Sequence, residues 1–106
     1  MKMLVSMMAL AATLTLAGEA VAQAEQTVVM SNMSYGKLPA GLKVGDTITW
    51  TNRDTVPHTV TARDHSFDLR VAPGRSTKMT LTKAGAFPFF CTYHTMMRGT
   101  LTVAPK

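Results

Sequence analysis

The chain has 106 residues, 46% hydrophobic and 16% charged, with a formal net charge of +5. That length holds one small domain and excludes two, and a single cysteine excludes an internal disulfide. Lysines and arginines stand singly rather than clustered with aromatics, which argues against a nucleic-acid footprint and fits long-range attraction toward an acidic partner.

The N-terminus reads as an export leader. Lys2 is a short basic region, Leu4 to Ala17 is an uncharged apolar run, and two overlapping A-x-A patterns follow, Ala20-Val21-Ala22 and Ala22-Gln23-Ala24. This predicts a signal peptide over 1–22 (alternatively 1–24), cut before Gln23 or Glu25. Residues 23–106 are then one exported domain. The apolar run is shorter than the roughly 20 residues a membrane-spanning helix needs, so no span is expected after processing.

Beyond the leader no 3.6-residue periodicity appears, and short alternating runs rich in Thr, Val and aromatics recur instead. The predicted strands are Thr27 to Met33, Thr47 to Thr51, His58 to Thr61, Lys78 to Thr82, Ala86 to Cys91 and Thr100 to Val103. In the second, Ile48 and Trp50 share one face and three threonines the other, which places Trp50 in the core. Turn signals separate the strands at Val44-Gly45-Asp46, Ala72-Pro73-Gly74 and Ala84-Gly85. The pattern predicts an all-β, Greek-key β-sandwich of about seven to eight short strands. Pro88 lies inside a predicted strand, so its missing donor is expected at an edge or facing away from a neighbour's carbonyl. Phe87 and Phe89 share the phase of Cys91 and are expected inside, with Phe90 on the opposite face. His65, among polar residues, reads as solvated.

The chemistry concentrates in Cys91-Thr92-Tyr93-His94-Thr95-Met96-Met97. An exported lone thiol is a liability unless something occupies it. A thiolate, an imidazole three residues on and a thioether beyond that make a soft donor set, which suits copper better than calcium, magnesium or manganese. One further histidine completes a trigonal His2Cys site with a weak axial methionine, the blue-copper arrangement, and His58 after Pro57 is placed to supply it. In a small domain without a disulfide, a metal tying two distant loops together also adds stability.

Two segments carry a family resemblance. Val44 to Asp54 continuing through Pro57-His58-Thr59-Val60 resembles the first ligand region of the cupredoxins. Ala84 to Phe87 through Cys91-Thr92-Tyr93-His94 and Met97-Arg98-Gly99 resembles the second. The resemblance covers roughly residues 42–103, and the short spacing from His94 to Met97 is that of the amicyanins. It implies His58, Cys91 and His94 as equatorial ligands of one type 1 copper and Met97 as the axial one, leaving Met96 pointing outward. It also implies an outer shell of Asn52 and Thr92, with the asparagine tying the first ligand loop to the Cys loop and shaping the hydrogen bonding at sulfur. By local sequence alone Asn52 is equally a strand-end turn residue. Amicyanin loops carry prolines flanking the loop histidine where this chain has Tyr93 and Thr95, and that difference bears on redox tuning and partner choice.

The expected function is a small periplasmic carrier shuttling single electrons by Cu(II)/Cu(I) cycling. His94 is the expected electron port, within an uncharged docking patch of Pro57, Tyr93, Thr95 and Met96. Its partners are expected to be exported redox proteins, with an amine dehydrogenase-type donor or a c-type cytochrome implied by the resemblance alone. A monomer is expected. The alternative is a periplasmic copper-binding or delivery protein, in which Met30, Met33 and Met96 add soft donors. An enzyme is not expected: the chain has only three histidines, and four protein ligands leave copper no open position.

Overall fold

The computed structural model describes residues 24–106, so the expected leader lies outside the described residues, save for Ala24 under the longer alternative. Nine strands follow in order: β1 (Glu25–Ser31), β2 (Ser34–Tyr35), β3 (Leu42–Lys43), β4 (Thr47–Asn52), β5 (His58–Ala62), β6 (Asp68–Val71), β7 (Ser76–Thr80), β8 (Gly85–Cys91) and β9 (His94–Ala104). They make two sheets, ordered β2-β1-β4-β7 and β3-β9-β8-β5-β6. The chain passes between sheets from β2 to β3, β3 to β4, β4 to β5, β6 to β7 and β7 to β8, as an all-β sandwich requires. The sequence expectation is met in class and exceeded in strand count, because β2, β3 and β6 are too short to alternate visibly.

Period-2 burial decides which face points inward. In β4, Ile48 and Trp50 are fully buried while Thr47, Thr49 and Thr51 alternate outward. The outward hydroxyls pair across to β7, with Thr51 Oγ1 2.9 Å from Ser76 Oγ. Trp50 meets Tyr35 and Phe89 edge-on, at centroid separations of 6.0 and 5.5 Å, and Tyr35 meets Phe89 at 4.8 Å. Phe89 comes from the other sheet, so this trio clamps the two layers. Burying one such side chain contributes about 1.5–3 kcal/mol. Trp50 Nε1 is buried in that cluster without an acceptor, a cost of about 1–3 kcal/mol that the surrounding apolar contact offsets. Gly99 is required where the Phe89 ring crosses β9, because a Cβ there would sit 2.9 Å from Phe89 Cζ and 3.0 Å from Leu38 Cδ1.

Three local outcomes have clear causes. β1 stops at Ser31 rather than Met33 because Asn32 and Met33 turn with φ of 55° and 59°. A methionine rarely adopts that conformation; here both amides are held by the Asp54 carboxylate, at 2.8 and 3.0 Å. β7 ends two residues earlier than predicted because Leu81 exchanges backbone hydrogen bonds with the Gly45–Asp46 turn, both at 2.8 Å, and drops its side chain into the core. Pro88 lies in a central strand, not an edge. Its carbonyl accepts Arg63 N–H at 2.9 Å, beyond the end of β5. A strand residue's N–H and C=O share one side, so the donor Pro88 lacks would face Arg63, one residue past the end of β5, and the expectation that it faces away from a neighbour's carbonyl is not met.

Candidate metal centre

The ends of β5, β8 and β9 converge at one end of the sandwich. β5 begins at His58 directly after Pro57, and β8 ends at Cys91. The turn Thr92–Tyr93 then returns the chain to His94 at the start of β9. The β8–β9 register jumps from Phe90↔Arg98 to Cys91↔His94, so Thr95, Met96 and Met97 have no opposite number. That bulge re-aims side chains: Met97 turns into the core at 3% exposure, and Met96 projects outward at 83%. As expected from phase, Phe87 and Phe89 are inside, while Phe90 lies outside under the Arg63 guanidinium, 4.5 Å from its ring centroid. His65 is exposed in a turn at φ 64°.

His58 and Cys91 are both fully buried, with His58 Nδ1 3.8 Å from Cys91 Sγ. Two donors bonded to one ion at about 2.1 Å (nitrogen) and about 2.3 Å (sulfur), near 120° apart, are separated by about 3.8 Å, so this pair already stands at ligand spacing. The other ring nitrogen, His58 Nε2, lies 2.7 Å from Asp54 Oδ2. An ionised carboxylate only accepts, so neutral His58 carries its proton on Nε2 and keeps the Nδ1 lone pair free on the sulfur side. The His58 bond, followed by the Met33 amide, holds the Asp54 carboxyl below the usual carboxylate range. His94 is half-buried and faces His58 edge-on, ring centroids 5.3 Å apart. Among the described residues no three His, Cys, Asp or Glu side chains close into a complete metal cluster as they stand. His58 and Cys91 are the pair in register, and His94 stands beside them.

Asn52 has a different role from the one the resemblance implies. Its Nδ2 gives both protons away within its own side of the site, to Val56 O at 2.8 Å and Val71 O at 3.0 Å. Its Oδ1 accepts Asp54 N–H at 2.9 Å, an Asx turn. Asn52 therefore shapes the 53–57 loop and pins it to β6, with no donor left for the Cys loop. Thr59 makes that link instead. Its N–H donates to Cys91 Sγ at 3.3 Å, and its Oγ1 accepts Thr92 N–H at 2.8 Å. Tyr35 O–H in turn donates to Thr59 O, and burial, then the nearby Cys91 charge, pushes the phenol pKa upward, keeping it a donor.

The outer rim is exposed at Tyr93, Thr95 and Met96, with Pro57 half-buried. Tyr93 stands edge-on to His94 at 6.4 Å, and its hydroxyl accepts Arg70 Nε–H at 3.2 Å. Met30, considered above as an extra soft donor, is wholly inside the core, whereas Met33 and Met96 are exposed. Sequence reasoning missed Asp54, Thr59, Tyr35 and Arg70. The Asn52-x-Asp54 Asx-turn spacing signals only the first.

This geometry has known counterparts. The model of a cupredoxin-like domain matches residues 5–103. Amicyanin of Paracoccus denitrificans is 34% identical over 89 residues, spanning 78% of this chain and 68% of that protein. Amicyanin of Paracoccus versutus is 29% identical over 82 residues, spanning 72% of this chain and 62% of that protein, a little under two thirds of its length. Among solved structures, a mutant amicyanin in its reduced state superposes with a TM-score of 0.63 at 32% identity, covering 78% of this chain and 85% of that one. The Cu(I) form of another amicyanin mutant gives 0.64 at the same identity and coverage. The chain belongs to the cupredoxin-like family, the fold of the blue copper electron-transfer proteins.

Proposed function

We propose that this protein carries single electrons between exported redox proteins, holding copper through His58, Cys91, His94 and Met97. One copper per chain is the cofactor, and it supplies the Cu(II)/Cu(I) couple. The observation that carries the reading is the buried His58–Cys91 pair at ligand spacing, with the imidazole tautomer set by Asp54. A soft thiolate and neutral imidazoles accept both oxidation states, and a weak thioether favours Cu(I) without imposing a square-planar arrangement. Cys91 and Met97 keep water out from the core side, while the Thr59 amide and the Asp54 carboxylate fix the donors from behind.

His94, the one half-buried member of the set, is the electron port. Around it Pro57, Tyr93, Thr95 and Met96 form an uncharged patch that desolvates readily and binds briefly. A c-type cytochrome or an amine dehydrogenase-type donor is the partner class that the amicyanin likeness supports, and the working form is a monomer. Export places the protein in the periplasm after removal of residues 1–22. Cutting before Gln23 is favoured over cutting before Glu25 because Ala24 contributes to the fold: its N–H donates to Asp46 Oδ1 at 3.2 Å and its carbonyl accepts Thr47 N–H at 3.0 Å. Among the described residues no helix is long and apolar enough to cross a membrane.

The test is a Cu(II) titration of metal-free protein followed by visible absorption and voltammetry. An intense blue band saturating at one equivalent, with a reversible one-electron wave, is expected. A colourless complex, or a wave absent at full loading, would point to copper handling rather than electron transfer.

A further inference from the structure

Outside the donor set, the outer face of β5 carries a buried polar row that the fold alone does not demand. Thr59 and Thr61 point away from the core yet are each only 5% exposed. Thr61 Oγ1 lies 2.8 Å from Asp68 Oδ1 on the neighbouring β6 and 3.0 Å from Thr59 Oγ1. Thr59 Oγ1 receives Thr92 N–H at 2.8 Å and stands 3.3 Å from Thr92 Oγ1. Thr61 has one proton for two contacts. That proton is placed to serve both Asp68 Oδ1 and Thr59 Oγ1, while Thr59 O–H donates to Thr92 Oγ1. Because the carboxylate only accepts, Thr61 bridges Asp68 on β6 to the hydroxyl that receives the Thr92 amide.

We infer that Asp68, Thr61 and Thr59 form a positioning network that fixes the Cys91–His94 turn against β5 and thereby tunes the electron affinity of the site. The inference rests on the ligand assignment proposed above. Its physical content is that Thr59 grips the turn twice, through N–H to Cys91 Sγ and through Oγ1 to the next residue's amide. The turn Thr92-Tyr93-His94-Thr95 contains no proline to stiffen it. A well-held amide at sulfur draws charge from the thiolate and weakens its donation to Cu(II). Loosening that grip returns charge to sulfur and favours the oxidised state.

Thr61→Val removes the middle hydroxyl at nearly constant volume and touches no proposed ligand. Two readouts are needed. In metal-free protein, Thr92 amide hydrogen exchange is expected to quicken about fivefold, the equivalent of one net hydrogen bond near 1 kcal/mol. In the copper-loaded protein, the ratio of oxidised to reduced form at fixed poise is expected to shift about fivefold toward oxidised, with a moved sulfur-to-copper band. Thr61→Ser, which restores the hydroxyl, is expected to match the unmodified protein in both. Asp68→Asn, on an exposed residue, is expected to shift both in the same direction by less, and it decides the matter if Thr61→Val does not fold. Wild-type Thr92 exchange, or an unchanged redox ratio with only the melting temperature lowered, would overturn the network. So would an equal shift in Thr61→Ser. Absence of a blue band in the unmodified protein would instead overturn the ligand assignment and the tuning with it, while Thr92 exchange would still report the grip separately.

Discussion

Asp54→Asn is the sharpest perturbation of the first ligand loop. Asp54 accepts from Asn32 N–H through Oδ1, and from Met33 N–H and His58 Nε2–H through Oδ2. Asparagine offers one carbonyl oxygen, so whichever way it turns, its amide nitrogen meets at least one donor. If the oxygen keeps the two Oδ2 partners, each of those bonds loses its charge assistance, worth about 1 kcal/mol apiece, and the Asn32 amide faces another N–H. The carboxylate is 15% exposed, so water relieves part of that clash, and a net loss of about 2 kcal/mol follows. For a domain this size that lowers the melting temperature by roughly 10 °C. The variant also withdraws the charged acceptor that orients His58 through Nε2, so copper affinity is expected to fall about 10–100-fold. Weaker imidazole donation destabilises Cu(II), so the reduction potential is expected to rise. Thermal unfolding with and without copper, a competition titration and voltammetry read the three effects. A destabilised variant with unchanged copper affinity and potential would show that Asp54 only braces the Asn32–Met33 turn and does not act through His58.

Met97→Leu is expected to keep copper and colour while raising the potential, because on the proposed ligand set only a weakly held thioether would be withdrawn; loss of copper from that variant would contradict that role. Met96→Glu places a charge on a rim residue that is 83% exposed and is expected to slow electron transfer to every partner while leaving the potential nearly unchanged. Stopped-flow transfer rates equal to wild type would move the port elsewhere. Asp46 is held below the usual carboxylate range chiefly by the Lys43 amide, with help from the Ala24 amide and the Lys43 charge. Its folded pKa is therefore lower than its unfolded one, near about 3.9, and its contribution is full above that value and lost as pH falls through the folded pKa. Denaturation of Asp46→Asn across pH 2 to 6 is expected to show a flatter acid limb than wild type; parallel curves would contradict the assignment.

The strands that face a core on one side were legible, because alternation at Ile48 and Trp50, or at Phe87, Phe89 and Cys91, is imposed by burial and written in residue type. β2, β3 and β6 were not, since two to four residues carry too little alternation and owe their pairing to neighbours already in place. The donor candidates could be read from residue chemistry and spacing, whereas the split between inward Met97 and outward Met96 was implied by the family resemblance alone. What holds them could not. Asn52 was assigned to the Cys loop by resemblance, yet Val56 and Val71 take both its protons. Thr59 was unremarkable as one of several threonines on a strand, until register set it beside Thr92. Contacts made across 30 or more positions of sequence have no local signature.

X-ray absorption at the copper edge, on protein loaded with one equivalent of copper, tests the central claim most directly. One sulfur and two imidazole nitrogens at bonding distance, with the sulfur signal gone in Cys91→Ser and one nitrogen gone in His58→Ala, are the expected result. A copper bound without short sulfur, or a spectrum unchanged by either substitution, would contradict the account.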